Sequence, residues 1–278
     1  MEIFADYSTG WLIGLALSLM VTGIIAGIMA GLLGVGGGIV IVPVLYHLFT
    51  LLGIDEAVRM HVAVGTSLAT IIPTSIMSSR SHFNRGSLDP AILKKLVPGV
   101  IIGVGIGAIV SGILNGQVLT GIFAVIALLV ALNMAFKKDG FSVSDGLPGT
   151  AGTGVLGVFI GTVSTLMGIG GGTLSVPILS AMRVPMVTAV GTGAALGFVI
   201  SVPGAAAFLF NGMGVENRPP LTLGYVNLIG FALIVPATIL MAPIGARLAH
   251  AINASLLKQL FALFLFLTSL RMFYGIFA

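Results

Sequence analysis

Long runs of apolar residues alternate with short polar or charged breaks along the whole chain. A helix needs about 20 residues to cross the hydrocarbon core of a bilayer, and eight of the runs approach that length. Two shorter runs predict half-helices or re-entrant segments, residues 38–52 and 172–183. The eight longer runs cover residues 11–33, 62–80, 92–113, 118–136, 150–168, 187–210, 222–246 and 256–277. The pattern predicts an all-α integral membrane protein with about eight full transmembrane helices and two short broken helices.

The composition excludes a soluble globular protein. Hydrophobic residues make up 57% of the chain and charged residues only 7%, whereas a soluble domain has about 25% charged residues. The net charge of +4 comes from few, scattered basic residues, so it is not the footprint of a nucleic-acid-binding surface. Cysteine is absent, which excludes disulfides and thiolate metal sites. We expect no cofactor, no metal site and no nucleic-acid partner, and the oligomeric state stays open.

The basic residues predict how the chain lies in the membrane. If the N-terminus is outside and the spans alternate, the outer side holds Arg59, Arg218 and Arg271. Lys and Arg accumulate in cytoplasmic loops, so an inner majority supports this orientation. The predicted inner side holds Arg80, Arg85, Lys94, Lys95, Lys137, Lys138, Arg183, Arg247 and Lys258.

The two halves of the chain resemble each other. The segment from Leu33 to Pro43 reads LGVGGGIVIVP, and the segment from Met167 to Pro177 reads MGIGGGTLSVP. The motif AVGTS at 63–67 recurs as AVGTG at 189–193. Each half contains five apolar runs, and an odd number reverses the direction of the second copy. We predict two inverted repeats, 1–136 and 150–278, joined by a cytoplasmic linker at 137–149, with a substrate site between them near the midplane.

The duplicated glycine triplets are the candidate substrate site. Consecutive glycines break a helix, and a short helix is expected to resume near Ile39 and near Thr173. The free N–H groups and partial positive charge of two helix N-termini can bind an anion without a basic side chain. All eight acidic residues lie outside the apolar runs, so a carboxylate cation site is not expected. The predicted binding residues are Gly36, Gly37, Gly38, Gly170, Gly171, Gly172, Thr173, Thr66, Ser67 and Thr192.

Other polar and glycine residues have simpler interpretations beside functional ones. Candidates for the mouth or gate of a pathway are Arg80, His82, Arg85 and Asn211, although positive-inside placement and helix capping explain several of them. Glycines also recur every four residues in two predicted spans, a spacing typical of close helix packing. These are Gly23, Gly27 and Gly31 in one span and Gly99, Gly103 and Gly107 in another.

These motifs resemble the TauE/SafE sulfite exporter family over nearly the whole chain. The resemblance lies in the doubled Gly-x-Gly-Gly-Gly followed by Pro43 or Pro177, in AVGTS, and in His82-x-Asn-x-Gly86. The resemblance implies a transporter of a small sulfur-containing or organic anion, such as sulfite, thiosulfate, sulfoacetate or another sulfonate, in a bacterial or archaeal inner membrane. We expect an exporter that works by alternating access, with an anion channel or, less favoured, a membrane scaffold as alternatives. An enzyme is not expected, because no nucleophile–base pair or metal motif lies within the spans.

Overall fold

The computed structural model describes residues 8–136, 144, 146–249 and 254–277, which form ten helices and one short hairpin. The first five helices are α1 (Thr9–Leu33), α2 (Gly38–Leu51), α3 (Glu56–Phe83), α4 (Pro90–Ile113) and α5 (Gly116–Phe136). The next three are α6 (Thr150–Met167), α7 (Gly172–Ala181) and α8 (Met186–Asn211). The chain then forms β1 (Thr222–Leu223) and β2 (Val226–Asn227), followed by α9 (Leu228–Leu248) and α10 (Ala254–Phe277).

The helices agree with the predicted division into long and short segments. Seven of the described helices are long and apolar enough to cross a membrane, namely α1, α3, α4, α5, α6, α8 and α9. The eighth predicted span corresponds to α10, of which the apolar stretch 262–275 is described in full. With 14 and 10 residues, α2 and α7 are only about 21 and 15 Å long at 1.5 Å per residue. Both are therefore too short to span, as predicted.

One predicted span begins later than its hydrophobicity suggests. Residues 222–227 were expected to be helical, but they form a two-stranded hairpin in which Thr222 pairs with Asn227. The turn is possible because Gly224 has a left-handed φ of 55°. The side chain of Asn227 then accepts a 2.8 Å hydrogen bond from the N–H of Gly230. This cap starts α9 at Leu228, so the hairpin is held against the helical bundle.

The four-residue glycine repeats pack helices closely, as predicted. In α1, a side chain at Gly23 would meet Ile234 of α9, and one at Gly31 would overlap the carbonyl of Ala242. The contacts advance together along both helices, so α1 and α9 are parallel. The helices α4 and α6 repeat this arrangement, since Gly99 and Gly103 of α4 abut the backbone of α6. Without side chains at these positions, the two backbones come into direct contact.

The central helices α3 and α8 run in opposite directions. Gly65 of α3 lies against Phe208 of α8, and Ser75 lies against Gly197. These helices occupy matched places in the two halves, so their antiparallel packing agrees with an inverted arrangement. The repeat boundaries themselves stay a prediction, because most of the linker lies outside the described residues.

Candidate functional site

The two glycine-rich turns are built differently although their sequences match. In the first turn Gly34, Gly36 and Gly37 all have positive φ, between 66° and 80°. In the second turn only Gly168 does, at 64°, and Gly171 is right-handed at φ −59°. Glycine is needed in the first turn for its backbone conformation. In the second triplet, the missing side chain itself is what matters.

The two turns meet inside the protein, backbone against backbone. A side chain on Gly172 would overlap the carbonyl of Gly34, and one on Gly38 would overlap the carbonyl of Gly168. A Cβ on Gly36 would lie 3.1 Å from the Cα of Gly170. We call this contact between residues 34–38 and 168–172 the glycine junction. The two predicted triplets are therefore brought together.

The junction places two helix N-termini against each other's turns. The helix α2 starts at Gly38 and α7 starts at Gly172, as predicted from the triplets. The first N–H groups of a helix have no partner within it and carry a partial positive charge. The carbonyl oxygens of Gly34 and Gly168 lie beside these two ends. A backbone carbonyl of the opposite turn thus packs against the first residue of each short helix.

Buried hydroxyl groups surround the junction unevenly. Ser67 of α3 donates a 2.7 Å hydrogen bond to the carbonyl of Gly168. In contrast, the buried hydroxyls of Ser164, Thr173 and Ser175 have no hydrogen-bond partner among the residues that the structure describes. A Cβ on Gly193 of α8 would lie 2.9 Å from the Oγ of Ser175, which places that hydroxyl at the α7–α8 contact. A buried hydroxyl without a hydrogen-bond partner lowers the stability of the folded protein. A bound ligand, or a rearrangement that supplies partners, would therefore stabilise these three hydroxyls.

Two other predicted binding residues contact loops. The hydroxyl of Thr66 accepts a 2.8 Å hydrogen bond from the backbone N–H of Asn227. The hydroxyl of Thr192 accepts a 3.3 Å hydrogen bond from the backbone N–H of Asp89. In this conformation both threonines therefore hold the residue that precedes a helix, α9 or α4.

The predicted mouth residues have unlike surroundings. Arg80 and Arg85 are exposed near the end of α3. His82 is fully buried; its Nε2–H donates to the carbonyl of Gly31 at 2.9 Å, and its Nδ1 lies 3.0 Å from the Oγ of Ser87. Asn211, at the far end of α8, donates a 2.9 Å hydrogen bond to the carbonyl of Ala108 in α4.

A buried aromatic cluster near the hairpin was not predicted from the sequence. His61 stacks on Tyr225 with ring centroids 4.9 Å apart, and Phe208 lies edge-on to Tyr225 at 6.4 Å. Arg218 donates to the carbonyls of Val215 and Gly224, which fixes the hairpin's own loop. Burial raises the pKa of the Tyr225 hydroxyl, and the nearby charge of Arg218 opposes that shift. His61 lies 164 positions before Tyr225, so their contact leaves no local signal in the sequence.

The junction is closed in this conformation. Residues 30–43 and 164–176 are all buried. A small cavity of about 40 Å³ lies elsewhere, lined by apolar residues of α1, α2 and α9 that include Leu19, Leu45 and Ile229. A shallow groove of about 600 Å³ lies on α5 and α10 around Ile122 and Phe273. Neither is lined by a glycine of the junction, so a substrate would reach it only after the surrounding helices move.

Comparison with known proteins adds a family and several relatives. The family described as Sulfite exporter TauE/SafE matches residues 19–272. A Haemophilus influenzae protein named "Probable membrane transporter protein" is 33% identical over 92% of this chain and 97% of its own length. Similarly named proteins of Bacillus subtilis and Methanocaldococcus jannaschii are each 28% identical, over 94% and 84% of this chain and 98% and 85% of their own lengths. No solved structure matches the chain.

Proposed function

The chain belongs to the TauE/SafE sulfite exporter family, and we propose that this multi-pass membrane transporter exports a small sulfur-containing or organic anion by alternating access. Sulfite, thiosulfate, sulfoacetate and other sulfonates are the candidate substrates. The anion binds at the glycine junction, between the N-termini of α2 and α7. The protein lies in the inner membrane of a bacterium or archaeon with its N-terminus outside. It is a transporter and not an enzyme.

The observation that carries the proposal is the direct contact between the two glycine turns. Each short helix meets the carbonyl of the opposite turn at its N-terminus, Gly34 at Gly172 and Gly168 at Gly38. The two helix N-termini are thus held close together, at the level where the turns touch. When the two halves separate, an incoming anion enters between them and accepts from the N–H groups of both helix ends.

The unpartnered hydroxyls make the two short helices chemically different at the proposed site. Thr173 lies in the first turn of α7, and Ser175 lies two residues later. The corresponding positions of α2 are Ile39 and Ile41, which are apolar and fully buried. Of the two short helices, α7 alone therefore carries hydroxyl groups in its first turn. A tetrahedral sulfonate group has several oxygens, so it can accept from helix N–H groups and from these hydroxyls together.

The charges favour an anion that moves outward without a coupled cation. The acidic residues within the described part of the chain are Asp55, Glu56, Asp89 and Glu216, all in loops or at helix starts. No carboxylate among them lies at the depth of the junction, where it would repel an anion or hold a coupling cation. A membrane potential that is negative inside drives an anion outward by about 2.3 kcal/mol per charge per 100 mV.

Flux through proteoliposomes tests this function. Vesicles loaded with sulfite, thiosulfate or sulfoacetate should release one of these anions in a saturable way. An imposed potential of 100 mV should change the equilibrium gradient of a monovalent anion about fiftyfold, the factor that corresponds to 2.3 kcal/mol. Efflux that ignores the potential would contradict electrogenic export, and single-channel currents without saturation would favour an anion channel over a carrier.

A hydroxyl-deleting variant locates the binding site in the same assay. The double variant Thr173→Val and Ser175→Ala keeps nearly the same side-chain shapes and should raise the concentration for half-maximal efflux at least tenfold. The matched control is Thr50→Val with Ser18→Ala, whose hydroxyls only bond carbonyls of their own helices. Unchanged efflux in the first pair would remove the junction as the anion site.

A further inference from the structure

The two copies of the AVGT motif make the same set of contacts with the opposite half of the chain. Thr66 accepts a hydrogen bond from the N–H of Asn227, and Thr192 accepts one from the N–H of Asp89. Asn227 and Asp89 are the capping residues of α9 and α4, which are matched helices of the two halves. We call the Thr66–Asn227 contact the first clasp and the Thr192–Asp89 contact the second clasp.

The glycine that precedes each threonine continues the correspondence. A side chain on Gly65 would press on the carbonyl of Tyr225, two residues before Asn227. A side chain on Gly191 would overlap the carbonyl of Ser87, two residues before Asp89. In each motif, one glycine and one threonine therefore contact a loop that belongs to the other half of the chain. The two threonines are fully buried, so neither clasp is a surface contact.

Each clasp is closed by a histidine of α3. At the first clasp, the ring of His61 stacks on Tyr225. At the second clasp, the Nδ1 of His82 lies 3.0 Å from the Oγ of Ser87. Ser87 also donates a 2.9 Å hydrogen bond to the carbonyl of His82, which closes the loop tightly around the end of the helix.

The clasps lie on opposite sides of the glycine junction. Since α3 and α8 are antiparallel, with Ser75 beside Gly197, Thr192 lies level with about residue 80 of α3. Thr66 is then roughly 20 Å away along the helix, at 1.5 Å per residue. The second turn contacts Val64, two residues before Thr66, through Gly168, and the first turn contacts Val190, two residues before Thr192, through Gly34. Each turn of the junction therefore lies beside one clasp.

We propose that the two clasps are the opposing gates of the transport cycle, with Thr66 and Thr192 as the residues that hold each gate shut. The inference rests on the proposed alternating access and adds where each gate lies. Opening the first clasp lifts the hairpin from α3 and exposes the junction to the side of the hairpin. Opening the second clasp lifts the α3–α4 loop from α8 and exposes the junction to the other side. Both clasps are closed in this structure.

Labelling of a single cysteine tests the gates without any substrate. The chain has no cysteine, so Ser175→Cys gives one reporter beside the junction, at the buried contact of α7 with α8, with almost the size of serine. Right-side-out and inverted vesicles are treated with a membrane-impermeant thiol reagent. Thr66→Val should raise labelling about tenfold from the side of the hairpin only, and Thr192→Val from the opposite side only. Tenfold corresponds to about 1.4 kcal/mol, within the cost of one lost buried hydrogen bond.

Two further pairs of variants separate gating from general damage. Thr66→Ser and Thr192→Ser keep the hydroxyl and should label as slowly as the parent. Gly65→Ala and Gly191→Ala push the same loops away by contact, so each should expose the reporter to the same side as its neighbouring valine variant. Labelling from both sides, from the same side in both variants, or from neither side in folded protein would overturn the gates. One-sided labelling, combined with wild-type protein that no candidate anion stabilises, would leave the gates and remove the proposed anion site.

Discussion

The hydroxyl of Ser67 donates a 2.7 Å hydrogen bond to the carbonyl of Gly168, which lies in the opposite half of the chain. The bond ties α3 to the second glycine turn at the level of the junction. The matching position of the second half is Gly193, which has no side chain to hold the first turn. Only one of the two turns is therefore fixed by a side-chain hydroxyl from a central helix.

Removing this hydroxyl should destabilise the protein. Ser67→Ala leaves the buried carbonyl of Gly168 without its donor, which should lower the free energy of unfolding by about 1–3 kcal/mol. Equilibrium unfolding in detergent measures the loss, and Ser18→Ala is the control because its hydroxyl bonds only Leu15 of its own helix. Equal stability of the two variants would show that the Ser67 bond contributes nothing to holding the turn.

A methyl group at the junction should force the turns apart. Gly172→Ala would place its Cβ on the carbonyl of Gly34, and Gly172 has no left-handed φ, so the effect comes from contact alone. We expect a loss of stability above about 2 kcal/mol, the scale of overpacked cores. Gly154→Ala is the control, since nothing lies within 4 Å of a Cβ there. A Gly172→Ala protein as stable as this control would contradict the observed contact.

The sequence predicts which helices form the junction, but it does not predict the backbone geometry of the two turns. The repeated glycine triplets predicted where α2 and α7 begin, because three glycines and a downstream proline leave few alternatives. They did not predict that Gly171 would be right-handed while Gly37 is left-handed. That difference depends on what packs against each turn, Ala26 in one case and Leu196 in the other. A local sequence motif does not predict which distant residues will pack against it.

The close packing of α1 on α9 gives a prediction within one helix. Gly31→Ala would place a methyl group on the carbonyl of Ala242, so it should separate the helices and lower stability by about 1–3 kcal/mol. Gly14→Ala lies in the same helix with nothing within 4 Å, and alanine favours helices, so it should be neutral or slightly stabilising. Thermal unfolding of both variants in the same detergent makes the comparison. The packing account fails if the order of the two is reversed.

The hairpin is the part of the fold that hydrophobicity misplaced. Residues 222–227 read as the start of a span, because Leu223 and Val226 are apolar and no charge interrupts them. Two features override the pattern, the left-handed Gly224 and the cap formed by Asn227. The hydrogen bond that Thr66 accepts from Asn227 could not be predicted from the sequence either, because the two residues are 161 positions apart.

Asn227 should matter for the hairpin through its side chain as well as its N–H. Its amide donates to the carbonyl of Pro220 and the hydroxyl of Thr222, and its oxygen caps α9. Asn227→Ala should therefore cost about 1–2 kcal/mol, the usual value for a lost cap. Asn227→Asp keeps the capping oxygen and should recover part of the loss. Hydrogen exchange across 215–230 measures the loosening, and Asn84→Ala, on an exposed loop, should leave that region unchanged.

The central claim is that an anion binds where the N-termini of α2 and α7 meet, and its most direct test is stabilisation of purified protein by candidate anions. A ligand at 100 times its Kd stabilises the folded state by about 2.7 kcal/mol. The melting temperature of the wild type should rise with sulfite, thiosulfate or sulfoacetate but not with chloride at equal ionic strength, and the rise should vanish in Thr173→Val with Ser175→Ala. An equal rise in that variant, or none in the wild type with any of these anions, would contradict the account.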